Sequence, residues 1–325
     1  MSGKSLAQYV DGFPLPSSFS ADSFRSALTY KPRPDDIFLV TYPKCGTTWT
    51  GQILLLLLQK GEPLKKPSDL HAKAPFLELT GAKAAENMPR PGPIKSHLPF
   101  HLAPWSKDSK YIYVARNPKD CCVSYYHHVK NLPGHGFEGT FDQFFELFMV
   151  GDIYWGDYFD HLQSWYSHRN DPNVFFVTYE ELKEDIDSAI LKMAAFIDDK
   201  EYAEPIRKDP SLMENIKKYS SLKEMKEFMT KSFMDIGEMT PEELKKSSVP
   251  DTIKEILVKE KVAMKAAIEG KKSGPNISNF VRKGIVGDWK NYFSEEQSRR
   301  LEEKFLEKTK DMDIPNIWLK NMEMI

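Results

Sequence analysis

A lysine, a glycine and two threonines stand together between an apolar run and a predicted helix. Residues 42–49 read YPKCGTTW; they follow the apolar residues 37–40 and precede the apolar residues 53–58. That order predicts a strand, a tight loop and a helix. Such a loop exposes backbone N–H groups at the positive end of the helix dipole, and Lys44 adds a full charge. The segment therefore predicts a site for phosphate or sulfate.

The order of residues in this loop differs from that of the nucleotide-triphosphate loop, in which the lysine follows the glycines. Here Lys44 precedes the only glycine of the loop. The segment resembles the 5′-phosphosulfate loop of the cytosolic sulfotransferases, Y-P-K-[SC]-G-T-T-W. The alternative is an ordinary strand–turn–helix with a chance lysine. The resemblance implies that the sulfuryl donor is bound by Lys44, Cys45, Gly46, Thr47, Thr48 and Trp49.

A second basic cluster lies in residues 94–99, IKSHLP. Strand alternation places Lys95 and His97 on one face, and a histidine can accept a proton near neutral pH. A histidine without a chemical role at a strand edge is the alternative. The segment resembles the K-[TS]-H-L-P element of the same family. The resemblance implies that His97 is the catalytic base, that Lys95 contacts the sulfuryl group and that Lys44 supports charge on the bridging oxygen.

A third cluster follows the apolar run 111–115. Asn117 is a favourable N-cap and Pro118 suits the first helical position, so Arg116 ends a strand and Ser124 lies about two turns into a helix. Both side chains can then converge on one anion. The alternative is a surface arginine beside a capped helix. The resemblance here is to the R-[DN]-P-[KR]-D-x-x-x-S element, which implies that Arg116 and Ser124 bind the 3′-phosphate of the donor.

Three further segments complete the resemblance, which runs in family order from about residue 37 to residue 289. Residues 282–289 resemble R-K-G-x-x-G-D-W, a second grip on the 3′-phosphate. Tyr179 resembles the strand-end tyrosine near the adenine, and residues 220–226 resemble the adenine-side T-S-F-x-x-M-K segment. Leu222 stands where the family usually has phenylalanine. These segments add Ser220, Leu222, Arg282, Lys283 and Gly284 to the predicted donor site.

The resemblance implies a sulfotransferase that uses 3′-phosphoadenosine 5′-phosphosulfate (PAPS). The acceptor would be a hydroxyl or amine of a small apolar molecule of the phenol, alcohol, catecholamine, steroid or retinoid type. Family position suggests an acceptor pocket that contains Phe13, Phe76, Tyr125 and His128. No metal is predicted, because lysines supply the charge that Mg²⁺ provides in kinases.

Several other functions stay open at this point. One is a nucleotide-dependent kinase for small molecules. A second is a non-catalytic carrier of an apolar ligand or of adenosine bisphosphate. A third is a family variant that sulfates an alcohol and then eliminates sulfate, which dehydrates it.

Strand-like runs separated by helical stretches predict an α/β fold. The runs are Ile37–Thr41, Ile94–His97, Tyr111–Ala115 and Val174–Tyr179. They predict one domain over residues 1–325, with a mostly parallel central sheet flanked by helices and ligands at the carboxyl ends of the strands. Residues 1–36 are expected to form an N-terminal arm. Residues 240–272 are expected to form a charged helical insertion, split at Pro250, that either covers the site or lies in solvent.

The charge and the sequence give no indication of several kinds of partner. A net charge of −2 favours neither nucleic acid nor an anionic membrane. The longest apolar run is too short to span a bilayer, and the first residues lack the apolar core of a signal peptide. Only Lys290 matches the family's short C-terminal dimerisation motif, so dimerisation by that route is not predicted.

The three cysteines, Cys45, Cys121 and Cys122, fit free thiols in a reducing compartment, which predicts a cytoplasmic protein. Cys45 follows Lys44 and precedes a predicted helix. Both features lower the pKa of a thiol, so Cys45 is expected to be the most reactive of the three. A buried and inert Cys45 is the alternative.

Overall fold

A parallel four-stranded sheet organises the chain. The computed structural model describes residues 6–131, 137–255 and 280–322. An antiparallel hairpin, β1 (Gln8–Val10) and β2 (Phe13–Leu15), precedes the sheet, whose strands are β3 (Ile37–Thr41), β4 (Pro93–Ser96), β5 (Lys110–Ala115) and β6 (Val174–Thr178). The spatial order is β4–β3–β5–β6, with all neighbours parallel. The predicted α/β fold with a parallel sheet is confirmed, although His97 and Tyr179 lie just beyond strand ends rather than within strands.

Helices fill the crossovers and both faces of the sheet. After the hairpin comes α1 (Ala21–Leu28). Between β3 and β4 lie α2 (Thr47–Leu58), α3 (Leu70–Lys73) and α4 (Leu77–Asn87). Between β5 and β6 lie α5 (Pro118–Asn131), α6 (Phe141–Val150) and α7 (Tyr158–Tyr166). After β6 come α8 (Tyr179–Glu184), α9 (Ile186–Asp198), α10 (Glu204–Lys208), α11 (Pro210–Tyr219), α12 (Leu222–Glu238) and α13 (Pro241–Lys246). The chain continues with α14 (Glu295–Thr309) and α15 (Pro315–Met322).

The strands β3, β5 and β6 are mostly apolar on both faces because both faces are covered, as parallel sheets require. Leu39 and Ile112 face one core cluster, which also contains the leucine-rich face of α2. Phe38 and Tyr113 face a second cluster, which contains the aromatic residues of α6 and α7. The helix α2 is buried nearly all round, so its start is held firmly at the carboxyl edge of the sheet.

The described part of the N-terminal arm lies against the rest of the fold. The amide of Trp155 donates to the carbonyl of Pro14 at 2.8 Å, which fixes β2 beside the segment before α7. Residues of α1 pack along α4. The arm therefore packs against the rest of the fold and forms part of the wall of the site.

The insertion at residues 240–272 is described only to residue 255, and the remainder lies outside the described residues. Leu244, Val249 and Ile253 of its described part form a small cluster with Ile236 of α12 that packs on Leu79 of α4. Leu79 also lines the large cavity of the site. A role of the whole insertion as a cover stays a prediction. In the part of the chain that the structure describes, none of the helices has the length and apolarity needed to cross a membrane.

Candidate active site

The loop after β3 forms an anion cradle. Lys44 has φ of 70° and Gly46 has φ of 107°, so the chain turns sharply before α2. A Cβ on Gly46 would lie 3.0 Å from Cδ2 of Tyr179, so only glycine fits this turn without a shift. No side chain caps the start of α2 in the described structure. The first N–H groups of the helix, together with Thr47 and Thr48 at the cavity wall, are therefore presented to a ligand.

Cys45 lies behind this loop, not in the cavity. Its amide donates to the carbonyl of Tyr42 at 3.2 Å, its side chain is fully buried, and its Sγ lies 3.8 Å from Sγ of Cys121. Burial, and then the contact with Cys121, raise the pKa of Cys45 well above its usual value. The expected lowering of this pKa is wrong, because loss of solvent outweighs the helix dipole and the neighbouring Lys44.

His97 follows β4 and is oriented through its own loop. Its Nδ1 donates to the carbonyl oxygen of Thr41 at 2.7 Å, which fixes the neutral tautomer and leaves Nε2 as the acceptor. Burial lowers the pKa of His97 to about 3; the Thr41 contact opposes this effect, and the charges of Lys44 and Lys95 add to it. The imidazole is therefore neutral near pH 7, and it lines the cavity.

A carboxylate that the sequence analysis did not single out holds the His97 backbone. Oε1 of Glu78 accepts from Oγ of Ser96 at 2.5 Å and from the amide of His97 at 2.9 Å. Burial raises the pKa of Glu78 to about 7, and its Oε2 has no partner among the described residues. The sequence feature that could have revealed Glu78 is its place inside the otherwise apolar residues 76–79.

Two lysines enter the cavity beside His97. The ammonium of Lys44 lies 3.3 Å from Nδ1 of His128 and 5.3 Å from the ring centroid of Phe280. Burial, followed by the charges of Arg116 and Arg282, lowers the pKa of Lys44 to about 8. Burial likewise lowers the pKa of Lys95 to about 8. Both stay mainly protonated at pH 7, so two cations face the centre of the site.

Arg116 directly follows β5 at the other side of the cradle. It donates to the carbonyls of Lys44 and Ile285, each at 3.1 Å, and its guanidinium carbon lies 4.3 Å from the ring centroid of Tyr179. Its buried Nε has no partner among the residues described. Ser124 lines the same cavity. An anion there would meet a fixed guanidinium with unused donor capacity.

The basic turn at residues 282–284 closes this end of the cavity. Asp288 accepts from Arg282, and from Nζ of Lys283 at 2.7 Å. Arg282 also has a buried Nε without a partner in the described ranges. Gly284 has φ of 64°, and a Cβ on it would lie 3.0 Å from Cδ1 of Leu222, so both the backbone conformation and the close approach to α12 favour glycine.

An aromatic slot lies between the start of α2 and the start of α8. The rings of Trp49 and Tyr179 are 5.4 Å apart at 65°, and Leu222 reaches the cavity at the start of α12. Ser220 also reaches the wall, but its Oγ donates to the carbonyl of Ile216 at 2.7 Å. A planar base would meet two rings and one aliphatic side chain here.

A box of aromatic rings, the aromatic box, surrounds His97. The ring of His97 lies 4.8 Å from Phe76 and 5.2 Å from Trp155, and Phe19 contacts both Phe76 and Trp155. Phe13, which was expected in the wall, stacks on Phe24 and contacts the ring of Trp155, and it is not among the described residues that line the cavity. Phe19 and Trp155 carry no motif that could have singled them out.

Tyr125 and His128 line the cavity from α5. The hydroxyl of Tyr125 donates to the carbonyl of Tyr154 at 3.0 Å. His71 of α3 also lines the cavity and was not predicted; burial lowers its pKa to about 3. The two ends join in one cavity of about 700 Å³. In the ranges that the structure describes, no carboxylate lines it and no cluster of side chains is suited to hold a metal ion.

Comparison with known proteins identifies the family. The family described as Sulfotransferase domain matches residues 34–251 and 251–313. The chain is 34% identical over 312 residues to mouse Sulfotransferase 1 family member D1, covering 93% of this chain and 92% of that protein. It is 32% identical over 292 residues to human Sulfotransferase 1E1, covering 87% and 86%.

Solved structures agree with this assignment. Mouse sulfotransferase SULT7A1, crystallised in complex with PAP, superposes with a TM-score of 0.70 at 29% identity, covering 97% of this chain and 98% of that one. A retinol dehydratase structure, at 21% identity and a TM-score of 0.67 over 93% and 88% of the two chains, shares the fold. The chain therefore belongs to the sulfotransferase family and is an enzyme of sulfuryl transfer.

Proposed function

We propose that this sulfotransferase moves a sulfuryl group from PAPS to the hydroxyl of a neutral, apolar phenol or alcohol. One observation carries the proposal. A single cavity runs from the cationic cradle, past His97, into the aromatic box. A donor anion and an apolar hydroxyl compound would therefore meet at the one neutral base between them.

The donor fits the residues at its end of the cavity. The buried Nε atoms of Arg116 and Arg282 have no partners among the described residues, and the start of α2 has no side-chain cap. Unused buried donors of this kind are costly unless an anion satisfies them. When bound, PAPS supplies the sulfuryl group together with a good leaving group, adenosine 3′,5′-bisphosphate. Arg116, Ser124 and the basic turn would hold its 3′-phosphate.

The side chains at the centre have separate tasks. His97 is set by Thr41 so that Nε2 receives the proton of the acceptor hydroxyl. Lys44 and Lys95 place fixed positive charge at the point where negative charge grows on the donor oxygens. Thr47 and Thr48 add hydroxyl donors at the cradle. Each group is in place before a ligand arrives, so little reorganisation is needed.

The wall of the acceptor side favours neutral acceptors over amines. Phe19, Phe76 and Trp155 supply apolar ring surface, and the described wall contains no carboxylate that could pair with an ammonium group. Two lysines near His97 would also repel a catecholamine cation. Of the five acceptor types that the sequence suggested, phenols, steroids and retinoid-type alcohols fit best.

The setting of the enzyme is also part of the proposal. Three free thiols, two of them with Sγ atoms 3.8 Å apart and not bonded, suit a reducing compartment such as the cytosol. The family assignment removes the reason to favour a kinase.

An acceptor screen with labelled PAPS tests the proposal. Phenols, steroids and retinoid alcohols should be labelled and catecholamines should not, and product analysis should separate a sulfate ester from a dehydrated product. Preferred labelling of catecholamines would refute the choice of neutral acceptors. Binding of adenosine 3′,5′-bisphosphate without transfer to any acceptor would favour a carrier.

A further inference from the structure

His128 contacts the lysine of the anion loop, and its sequence position alone did not reveal this. Its Nδ1 lies 3.3 Å from Nζ of Lys44. It stands on α5 one turn after Ser124, so both side chains project from the same helix face towards the loop. The Lys44 ammonium thus lies beside both the imidazole of His128 and the ring of Phe280, whose centroids are 6.1 Å apart.

The direction of this hydrogen bond follows from charge. An ammonium can only donate, so Nδ1 of His128 must be the unprotonated acceptor. Among the described residues this is the one hydrogen-bond acceptor of the Lys44 side chain. The backbone of Lys44 is held separately, because its carbonyl accepts from Arg116 at 3.1 Å.

We propose that His128 is a positioning residue for Lys44, which it holds protonated and pointed into the cavity until the donor binds. The inference rests on the proposed role of Lys44 at the donor. A buried ammonium without an acceptor loses the interaction that favours its charged form. Its three N–H groups allow it to keep His128 while a donor oxygen takes another.

Other groups around Lys44 disfavour its charged form. Arg116 at the end of β5 and Arg282 in the basic turn are both cations that disfavour its charge. Other titratable groups that act on it include His97 after β4, which is neutral, and the thiols of Cys45 and Cys121. Carboxylates are not among the largest influences on this pKa. The hydrogen bond to His128 therefore favours the charged form of Lys44, whereas burial and the two positive charges disfavour it.

Loss of the His128 acceptor is expected to shift the pH dependence of the affinity for an anionic ligand. Lys44, with a pKa of about 8, favours an anionic ligand while it is protonated, so affinity is full below that pH and falls above it. Loss of a hydrogen bond to a charged group lowers this pKa by about one unit. Affinity should then be nearly equal to wild type at about pH 6 and about eightfold weaker at about pH 8.5.

The test measures the affinity for adenosine 3′,5′-bisphosphate by titration calorimetry from about pH 6 to about pH 9. His128→Phe keeps the ring and removes the acceptor, and should show the shift. His128→Asn places its Oδ1 near the former position of Nδ1 and should follow the wild-type profile. Lys44→Met removes the ammonium and should abolish the fall at high pH, because the bisphosphate lacks the sulfuryl group that Lys95 is proposed to contact. Thermal melting checks that each variant is folded, and His128→Leu replaces the phenylalanine variant if that one does not fold.

The outcomes separate the inference from the proposed function. A His128→Phe profile that superposes on wild type, while Lys44→Met lacks the alkaline fall, overturns the role of His128 alone. Equal shifts in the phenylalanine and asparagine variants also overturn it, because ring packing rather than the acceptor would then matter. An alkaline fall that persists in Lys44→Met refutes the role of Lys44 at the donor.

Discussion

Replacement of His97 by asparagine separates proton transfer from the architecture around it. The amide nitrogen of asparagine can take the place of Nδ1 and keep the hydrogen bond to the carbonyl of Thr41, which measures 2.7 Å in the native protein. The backbone amide keeps its contact with Glu78. The variant has no side-chain atom in the place of Nε2, so only the base is lost.

The expected size of the effect follows from the chemistry of the site. Loss of a general base costs about 10²–10⁴ in rate. Donor affinity should change less than about threefold, because the phosphates are held by the cradle and the basic turn rather than by His97. The pKa of His97 is about 3, so the base is neutral throughout the usual assay range. The loss of kcat should therefore be similar at about pH 6 and about pH 8.

The assay combines steady-state kinetics with labelled PAPS and titration of adenosine 3′,5′-bisphosphate. His97→Ala serves as the matched variant, because it loses both the base and the contact with Thr41. If misplacement of the loop caused the defect, the asparagine variant would recover most of the activity that the alanine variant loses. More than about a third of wild-type kcat in His97→Asn would remove this histidine from proton transfer.

Four further predictions concern the donor side, the thiols and metal dependence. Arg116→Ala and Lys283→Ala should each weaken adenosine 3′,5′-bisphosphate by about ten- to a hundredfold, since a charge-assisted contact contributes roughly 1.5–3 kcal/mol; equal losses for adenosine 5′-phosphate would contradict the assignment to the 3′-phosphate. In the wild type, kcat/KM for PAPS should fall as the pH rises through about 8, where Lys44 and Lys95 lose their protons in the free enzyme; a flat profile up to about pH 9 would exclude both as charged partners. Cys45→Ser should stay active, and mass spectrometry after limited iodoacetamide treatment should find Cys45 unmodified in the folded protein, because it is fully buried; rapid labelling would show that the loop opens. EDTA should leave activity unchanged, and recovery of a lost activity by Mg²⁺ would require a metal-assisted mechanism.

Local chemistry allowed much of the sheet edge to be predicted from the sequence. Apolar runs indicated β3, β5 and β6, because buried parallel strands need apolar residues on both faces. The Asn117 cap is confirmed: the amide of Asp120 donates to Oδ1 of Asn117 at 2.9 Å. That cap sets where β5 ends and α5 begins, so Arg116 falls at the carboxyl edge, as the sequence predicted. The residue roles inferred from these positions stay predictions.

The proposed acceptor side contains residues that local sequence patterns could not predict. Phe19 and Trp155 come from the N-terminal arm and from the loop before α7, and only the tertiary fold brings their rings to His97. Cys45 shows a different limit. A rule about helix ends and nearby lysines applies to exposed thiols, and the sequence did not reveal that this one faces the core. Burial depends on the packing of distant elements, so it cannot be read from neighbours in the chain.

The two grips predicted for the 3′-phosphate are built as one unit, although they lie far apart in sequence. The carboxylate of Asp120 accepts from the amides of Gly287 at 2.6 Å and Trp289 at 3.0 Å, and Arg116 donates to the carbonyl of Ile285 at 3.1 Å. The cap of α5 therefore also anchors the basic turn.

Asp288 keeps the cations of that turn together before the donor binds. Burial alone would raise its pKa, but hydrogen bonds from Lys283 and Arg282 hold the pKa at about 2. Its carboxylate thus stays charged at any working pH, and its stabilising effect is lost only as the pH falls towards about 2. Because the turn is already ordered, binding the donor costs little conformational entropy. The partnerless Nε of Arg116 and of Arg282 then remains for the ligand to satisfy.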